Sequence, residues 1–314
     1  TGNYLKKKAR RKQQKLSIIK DEVLQENPRD NDSLLLKGKL ELRKGNYVDA
    51  IANLRSVLKD QPNSPEVLQL LAGAHLANGE RELARDTMLR AVEANLGDNE
   101  LRLSLVQLLV QDDKPDEALE QLDEVLKRDQ YQENALKMKY ELLSRQGDTA
   151  GMEEVVKLMQ AGAPENEEGY LREAQLRFAE RDYDAALDIV NKVLGKNPES
   201  IAALIAKSDT LAAQEKVDEA IEAAEQLQQV SPESGEGYYR KGRLLEAQGK
   251  DAAALNEYEA AVRKAPDSAV ALGSLIELEV KLEGADKAGQ RLKAIIEENP
   301  EHSSAHGLLG AVYM

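Results

Sequence analysis

The sequence predicts an all-α fold, a solenoid of antiparallel helix pairs repeating every 34 residues. Three observations predict it. Seven of the nine prolines (Pro28, Pro62, Pro164, Pro198, Pro232, Pro266 and Pro300) fall on one 34-residue lattice, whose two remaining points are Leu96 and Gln130. Alanine recurs on the same lattice at a fixed offset. The composition is that of packed helices, with 41% hydrophobic, 32% charged and only 4% aromatic residues.

With residue 31 as repeat position 1, eight repeats run without insertion or deletion: 31–64, 65–98, 99–132, 133–166, 167–200, 201–234, 235–268 and 269–302. Position 20 reads Ala50, Ala84, Ala118, Met152, Ala186, Ala220, Ala254 and Ala288. Position 8 reads Gly38, Ala72, Val106, Tyr140, Ala174, Ser208, Gly242 and Ile276. Two helices joined by a short turn approach closely where facing side chains are small, so position 8 of the first helix is expected against position 20 of the second. Gly45, Gly79, Gly147 and Gly249 stand where the first helix ends. Acidic residues or Thr149 open the second helix, proline stops it, and Ser64, Ser200, Ser234 and Ser268 are placed to cap the next.

The fourth repeat breaks the rule, with Tyr140, Met152 and Met159 at positions expected to be small. This predicts helices pushed apart and a change of pitch within 133–166, unless adaptable methionine fills the space undistorted. Outside the eight repeats, 1–15 reads as a basic arm, 16–30 as the second helix of a partial repeat, and 303–314 as the first helix of a truncated one. Leu308, Leu309, Val312 and Tyr313 are then expected to be partly uncovered. These mid-repeat ends, and a first residue of Thr1, read as a fragment or processed product of a longer parent, or as ends that make an oligomer contact.

With no cysteine, disulfide staples, thiolate zinc sites and cysteine nucleophiles are excluded. No apolar run reaches the length of a membrane span. Residues 1–20 carry eight basic groups and no acid, so the rest carries −22 against −14 for the whole. An acidic body repels nucleic acid, and only the arm KKKARRKQQK could meet nucleic acid or anionic lipid. Histidine is limited to His75, His302 and His306; His302 lies in an inter-repeat turn, so the last two are not expected to share a face for metal. No phosphate loop or nucleophile elbow is present. The reading is therefore of a non-enzyme with no cofactor.

Stretches such as LLLKGKLELRKGNYVDAIANLRSVLKDQPNS and GYYRKGRLLEAQGKDAAALNEYEAAVRKAPDS resemble the tetratricopeptide-repeat family over essentially 16–314. The resemblance implies a right-handed superhelix whose first helices line a concave groove, with repeat positions 2, 5, 9 and 12 facing it. It implies a protein-interaction scaffold that holds a peptide, helix or partner protein there. On those positions the partner-binding candidates are Leu35, Leu42, Leu76, Leu103, Val110, Leu171, Phe178, Ile205, Tyr239 and Arg243. They make an apolar stripe if exposed, or a helix–helix contact if adjacent first helices bury them. The chaperone-tail clamp of the family is absent: Lys137 is followed by Glu141 and then Arg172 where asparagines are required. Arg240, Lys241 and Arg243 could receive an acidic ligand, with Glu236 and Glu246 expected to neutralise much of the charge.

Within the family, ANGERELARDTMLRAVEANLGDNELRLSLVQLLV and KAIIEENPEHSSAHGLLGAVYM resemble bacterial scaffolds of exopolysaccharide assembly and exosortase-type sorting. That implies a periplasmic location, with the cytoplasm as the alternative, and a partner in secretion or polysaccharide modification. Two other functions stay open: the non-catalytic arm of a larger enzyme such as a glycosyltransferase, and a scaffold that self-assembles through uncapped ends.

Overall fold

The computed structural model describes Gln25 and residues 27–313; the basic arm and most of the partial helix expected at 16–30 lie outside the described residues. Seventeen α-helices and no strand occur among the described residues, so the all-α expectation holds. They are α1 (Asn31–Lys44), α2 (Tyr47–Asp60), α3 (Pro65–Ala77), α4 (Arg81–Ala94), α5 (Asn99–Gln111), α6 (Pro115–Leu126), α7 (Glu133–Gln146), α8 (Thr149–Gly162) and α9 (Glu167–Ala179). There follow α10 (Tyr183–Lys196), α11 (Ile201–Ala213), α12 (Val217–Val230), α13 (Glu236–Ala247), α14 (Asp251–Lys264), α15 (Ala269–Glu283), α16 (Ala285–Glu298) and α17 (Ser303–Val312). The chain divides into two compact units between Val155 and Val156, inside α8 and so inside the irregular fourth repeat.

Each turn within a pair has one requirement that explains its residues. Repeat position 15 is left-handed at Gly45, Gly79, Gly147 and Gly249, with φ of 71–82°. Glycine has no Cβ to clash there. Asp113, Arg181 and Glu215 hold the same position with φ of 56–64°, a conformation side chains disfavour. The last repeat solves the turn differently, placing its positive φ one residue later at Gly284. Between pairs, Asp30, Asp98, Asn166, Ser200, Ser268 and His302 each accept a backbone N–H from the first turn of the next helix. Ser64 makes no such bond, and the Ser234 hydroxyl accepts from Glu236 N at 3.2 Å.

In the first unit, helices pack on their sequence neighbours, and first helices α1 and α3 also touch. Ala50, Ala84 and Ala118 are fully buried, as are Leu54 and Leu122 beside them. Tyr140 and Met152 are buried too, at 6% and 8% exposure, so the bulky fourth repeat excludes water as the alanine repeats do. In the second unit Ala186, Ala220, Ala254 and Ala288 are fully buried, and α9 touches α11 as α15 touches α17.

The expectation that position 8 must be small needs correcting. Val106 and Ile276 sit there at 0% and 2% exposure. Where position 8 is glycine, position 24 of the facing helix is large and fills the space. Gly38 lies under Leu54, where a Cβ would come within 2.9 Å of the leucine side chain. Gly242 lies under Tyr258, where a Cβ would come within 2.7 Å of the ring. Ala72 is paired in register with Met88. Neighbouring repeats are tied by a recurring amide–carboxylate bond: Gln146 donates to Asp116 at 3.0 Å, Gln214 to Asp184 at 2.7 Å and Gln248 to Asp218 at 2.8 Å.

Candidate functional site

First helices touch in three neighbouring pairs, α1 with α3, α9 with α11 and α15 with α17, and side chains spaced by three and four residues on each helix share a face. In the first unit this face carries two adjoining clefts between α5 and α7, of 340 and 200 Å³. Glu100, Leu103, Gln107 and Val110 line them from α5; Asn134, Lys137, Met138, Glu141 and Arg145 line them from α7. These include repeat positions 2, 5, 9 and 12. The larger cleft is the more polar, with amides and both charges interleaved, and the smaller is mainly apolar, with Val110, Met138 and Leu142 in its lining. Lys137 is held by Glu133 at 2.8 Å.

The five first-unit candidates separate by burial. Leu76 is 36% exposed, and Leu35, Leu42 and Val110 are half-buried. Leu35 and Leu42 pack against the cluster of Leu34, Ala50, Leu54 and Leu71, so both have structural work. Leu103 is only 5% exposed and offers a partner little more than an edge of the cleft.

In the second unit Phe178 is 37% exposed, its ring 5.3 Å from that of Tyr183. Leu171 is half-buried against the cluster of Ala174, Val190 and Ala203, and Ile205 is also half-buried. Tyr239 packs against Leu245, Tyr258 and Leu275. Arg243 is exposed, stacks 5.9 Å from the Tyr239 ring centroid, and has no ion pair among the described residues.

The basic cluster beside it is largely spent. Arg240 pairs with Glu236 at 2.7 Å and with Asp209 of the preceding repeat. Lys241 bridges Glu225 at 2.9 Å and Glu257 at 3.0 Å, and these bonds raise its pKa against the opposing effect of burial. Glu246, expected to neutralise the cluster, instead accepts the Tyr258 hydroxyl at 2.7 Å. Burial and that carboxylate push the Tyr258 pKa up. Arg243 is the cation left for a ligand.

The histidines are structural. His75 is 1% exposed, and its Nδ1 lies 2.5 Å from Glu80. His302 Nε2 donates to the Pro266 carbonyl at 3.0 Å while Nδ1 accepts from Ala305 N at 3.3 Å, so both ring nitrogens are used. His306 donates to the Pro300 carbonyl at 2.8 Å. Among the described residues, no group of three or more His, Asp or Glu is arranged to hold a metal ion, and no helix is long and apolar enough to cross a membrane. On α17, Leu308, Leu309 and Val312 are half-buried against Ile276 and Leu292, and Tyr313 is 52% exposed.

Comparison with known proteins gives the same architecture. Residues 4–221 match the family described as "Tetratricopeptide repeat protein 21 N-terminal ARM repeat", and 205–269 match the family described as "Tetratricopeptide repeat". No curated protein matches the sequence. A tetratricopeptide repeat protein from Parabacteroides merdae superposes with TM-score 0.54 at 17% identity, covering 79% of this chain and 98% of its own. Yeast Tom70 superposes at 0.59 with 15% identity, over 90% of this chain and 64% of Tom70. A chain of the Naa15/Naa10 structure bound to HypK-THB superposes at 0.51 with 16% identity, over 89% of this chain and 43% of that one. At these identities the likeness is one of fold.

Proposed function

The chain belongs to the tetratricopeptide-repeat proteins, in the family of the tetratricopeptide repeat protein 21 N-terminal repeat, and we propose that it is a non-catalytic scaffold binding a partner protein along its first helices. The observation that carries this is the pair of clefts between α5 and α7, lined by side chains at positions 2, 5, 9 and 12 of the repeat. Interleaved amides and charges suit the backbone and polar side chains of an extended segment, and the exposed Leu76 one repeat away adds an apolar anchor. In the second unit Phe178, Ile205, Tyr239 and Arg243 supply a more apolar stretch with one free cation. That the Naa15/Naa10 structure holds HypK is consistent with this use of the fold.

The narrower role, in bacterial exopolysaccharide assembly or secretion, is supported by sequence resemblance alone and makes a separate test. Affinity capture from the source cell's extract compares the wild-type chain with a Leu76→Asp/Gln107→Lys/Phe178→Asp variant that keeps its helical circular dichroism. A partner lost by the variant supports binding along the first helices, and its identity decides the pathway. A partner captured equally by both overturns the proposal.

A further inference from the structure

A further cleft lies away from the faces just described. It has a volume of 640 Å³ and opens in the second unit between the start of α9 and the end of α10. The Tyr170 ring forms one wall, held by its hydroxyl donating to the Pro164 carbonyl at 3.3 Å. Val193 forms part of the opposite wall, with Lys192 and Lys196 on its rim.

The same place is closed in two other repeats. In the seventh, Gly235 replaces Glu167, and a Cβ there would stand 2.7 Å from the Ala261 carbonyl oxygen and 3.0 Å from Ala265 Cβ, so the helices meet directly. In the third, Arg102 replaces Tyr170; it is 5% exposed and donates to Gln121 Oε1 at 2.6 Å, occupying the space itself. The third and seventh repeats therefore fill with their own residues the place that is open in the fifth.

The two lysines differ. Lys196 pairs with Glu165 at 3.5 Å, as Lys264 pairs with Glu233 at 3.2 Å two repeats on, so it belongs to the inter-repeat stitching. Its ammonium also lies 5.8 Å from the Tyr170 ring centroid. Lys192 is exposed and makes no ion pair or hydrogen bond among the described residues. Two carboxylates also line the cleft, but Glu165 is paired with Lys196 and Glu167 accepts from Asn197 at 3.1 Å and Ser200 at 3.0 Å, so Lys192 beside the Tyr170 ring is the lining charge with no ion pair among the described residues.

We propose that this cleft is a second partner site, which takes an aromatic side chain flanked by a carboxylate from an extended peptide segment. The partner's ring stacks on Tyr170 above Val193 and its carboxylate meets Lys192. A volume of 640 Å³ lies within the range of about 300–1,000 Å³ that buries a small ligand or a short peptide anchor. The proposal shares with the scaffold reading only the premise that the chain binds proteins; it uses none of the first-helix face.

The test selects displayed random heptapeptides on the full chain and measures the enriched synthetic peptides by fluorescence polarisation. Enrichment of Phe, Tyr or Trp next to Asp or Glu is expected, with binding weakened at least tenfold by Lys192→Glu and by Tyr170→Ala and unchanged by Leu76→Asp. Lys192→Glu alters only an exposed side chain, so it reads the site even if Tyr170→Ala unfolds the repeat. Peptides without the aromatic–acidic pair, peptides that ignore Lys192→Glu, or no enrichment overturn the proposal. Free phenylacetate competing as well as the peptide does so too, since it assigns the cleft to a small aryl carboxylate. Loss of binding on Leu76→Asp alone would leave the scaffold reading standing and remove this one.

Discussion

The seventh and fourth repeats solve the same packing problem from opposite sides. In the seventh, the first helix gives way: Gly242 has no side chain, and Tyr258 of the second helix lies over it, 1% exposed. In the fourth, the first helix carries the bulk as Tyr140, and Met152 stands in place of the usual alanine of the second helix. Every one of these side chains is buried. The repeat therefore does not require a small residue at a fixed position: a first-helix glycine is matched by a large side chain opposite, while elsewhere the pair is small on both sides, as at Ser208 and Ala224, or large on both, as at Ile276 and Leu292, and all are buried. A core packed to crystal-like density responds to the sum of its side chains and to their shapes.

The strongest way to break this comparison is to remove the bulk from each side. Tyr258→Ala and Tyr140→Ala should each cost about 3–5 kcal/mol, as buried aromatic truncations do, read as matched falls in the urea midpoint. A cost confined to Tyr258→Ala would mean that the fourth repeat is loosely packed. Next in size, Gly242→Ala should cost about 1–3 kcal/mol by overpacking against the ring. Adding Tyr258→Met, which reproduces the Ala72 and Met88 pairing of the second repeat, should return much of that loss. A double-mutant cycle with a coupling of about 0.5–3 kcal/mol is expected, and simple additivity would contradict the exchange.

A smaller effect sharpens the turns. Arg181→Gly or Glu215→Gly should stabilise by about 1 kcal/mol by relieving a left-handed side-chain residue, and Gly45→Ala should destabilise by about as much. Equal stability of all three variants would show that the turns carry no strain. Smallest is a pH effect. The hydrogen bond from His75 is the main cause holding the Glu80 carboxyl below its ordinary value of 4.5. A depressed carboxylate contributes stability above its unfolded-state pKa, and the contribution is lost as pH falls through the carboxylate range. Glu80→Gln should flatten that acid limb of a thermal-denaturation profile, and an unchanged limb would count against the pairing.

The period, the glycine turns and the buried alanines were legible in the sequence because each is a local requirement that recurs on one 34-residue lattice. Proline and glycine announce themselves by what they forbid. The left-handed turns at Asp113, Arg181 and Glu215 were not legible, since no residue type marks a position that is merely tolerated. The sequence left the burial of Leu103 open and anticipated Glu236 beside Arg240, but the other partners of Arg240 and Lys241 were hidden for another reason. They depend on contacts between different helices, with Asp209, Glu225 and Glu257 lying outside the helix that carries the cations. The cleft beside Tyr170 needed the same knowledge: Glu167, Tyr170 and Lys192 are unremarkable alone, and the lining is assembled from both α9 and α10.

The central claim, that partners are held along the first helices, is tested most directly by site-specific photo-crosslinking. A benzophenone amino acid is placed at Gln107 in the α5–α7 clefts, and at Glu222 on α12 as a control on a second helix. The account predicts partner adducts at Gln107 and none at Glu222. Adducts at Glu222 with none at Gln107 would contradict it and move recognition to the second helices.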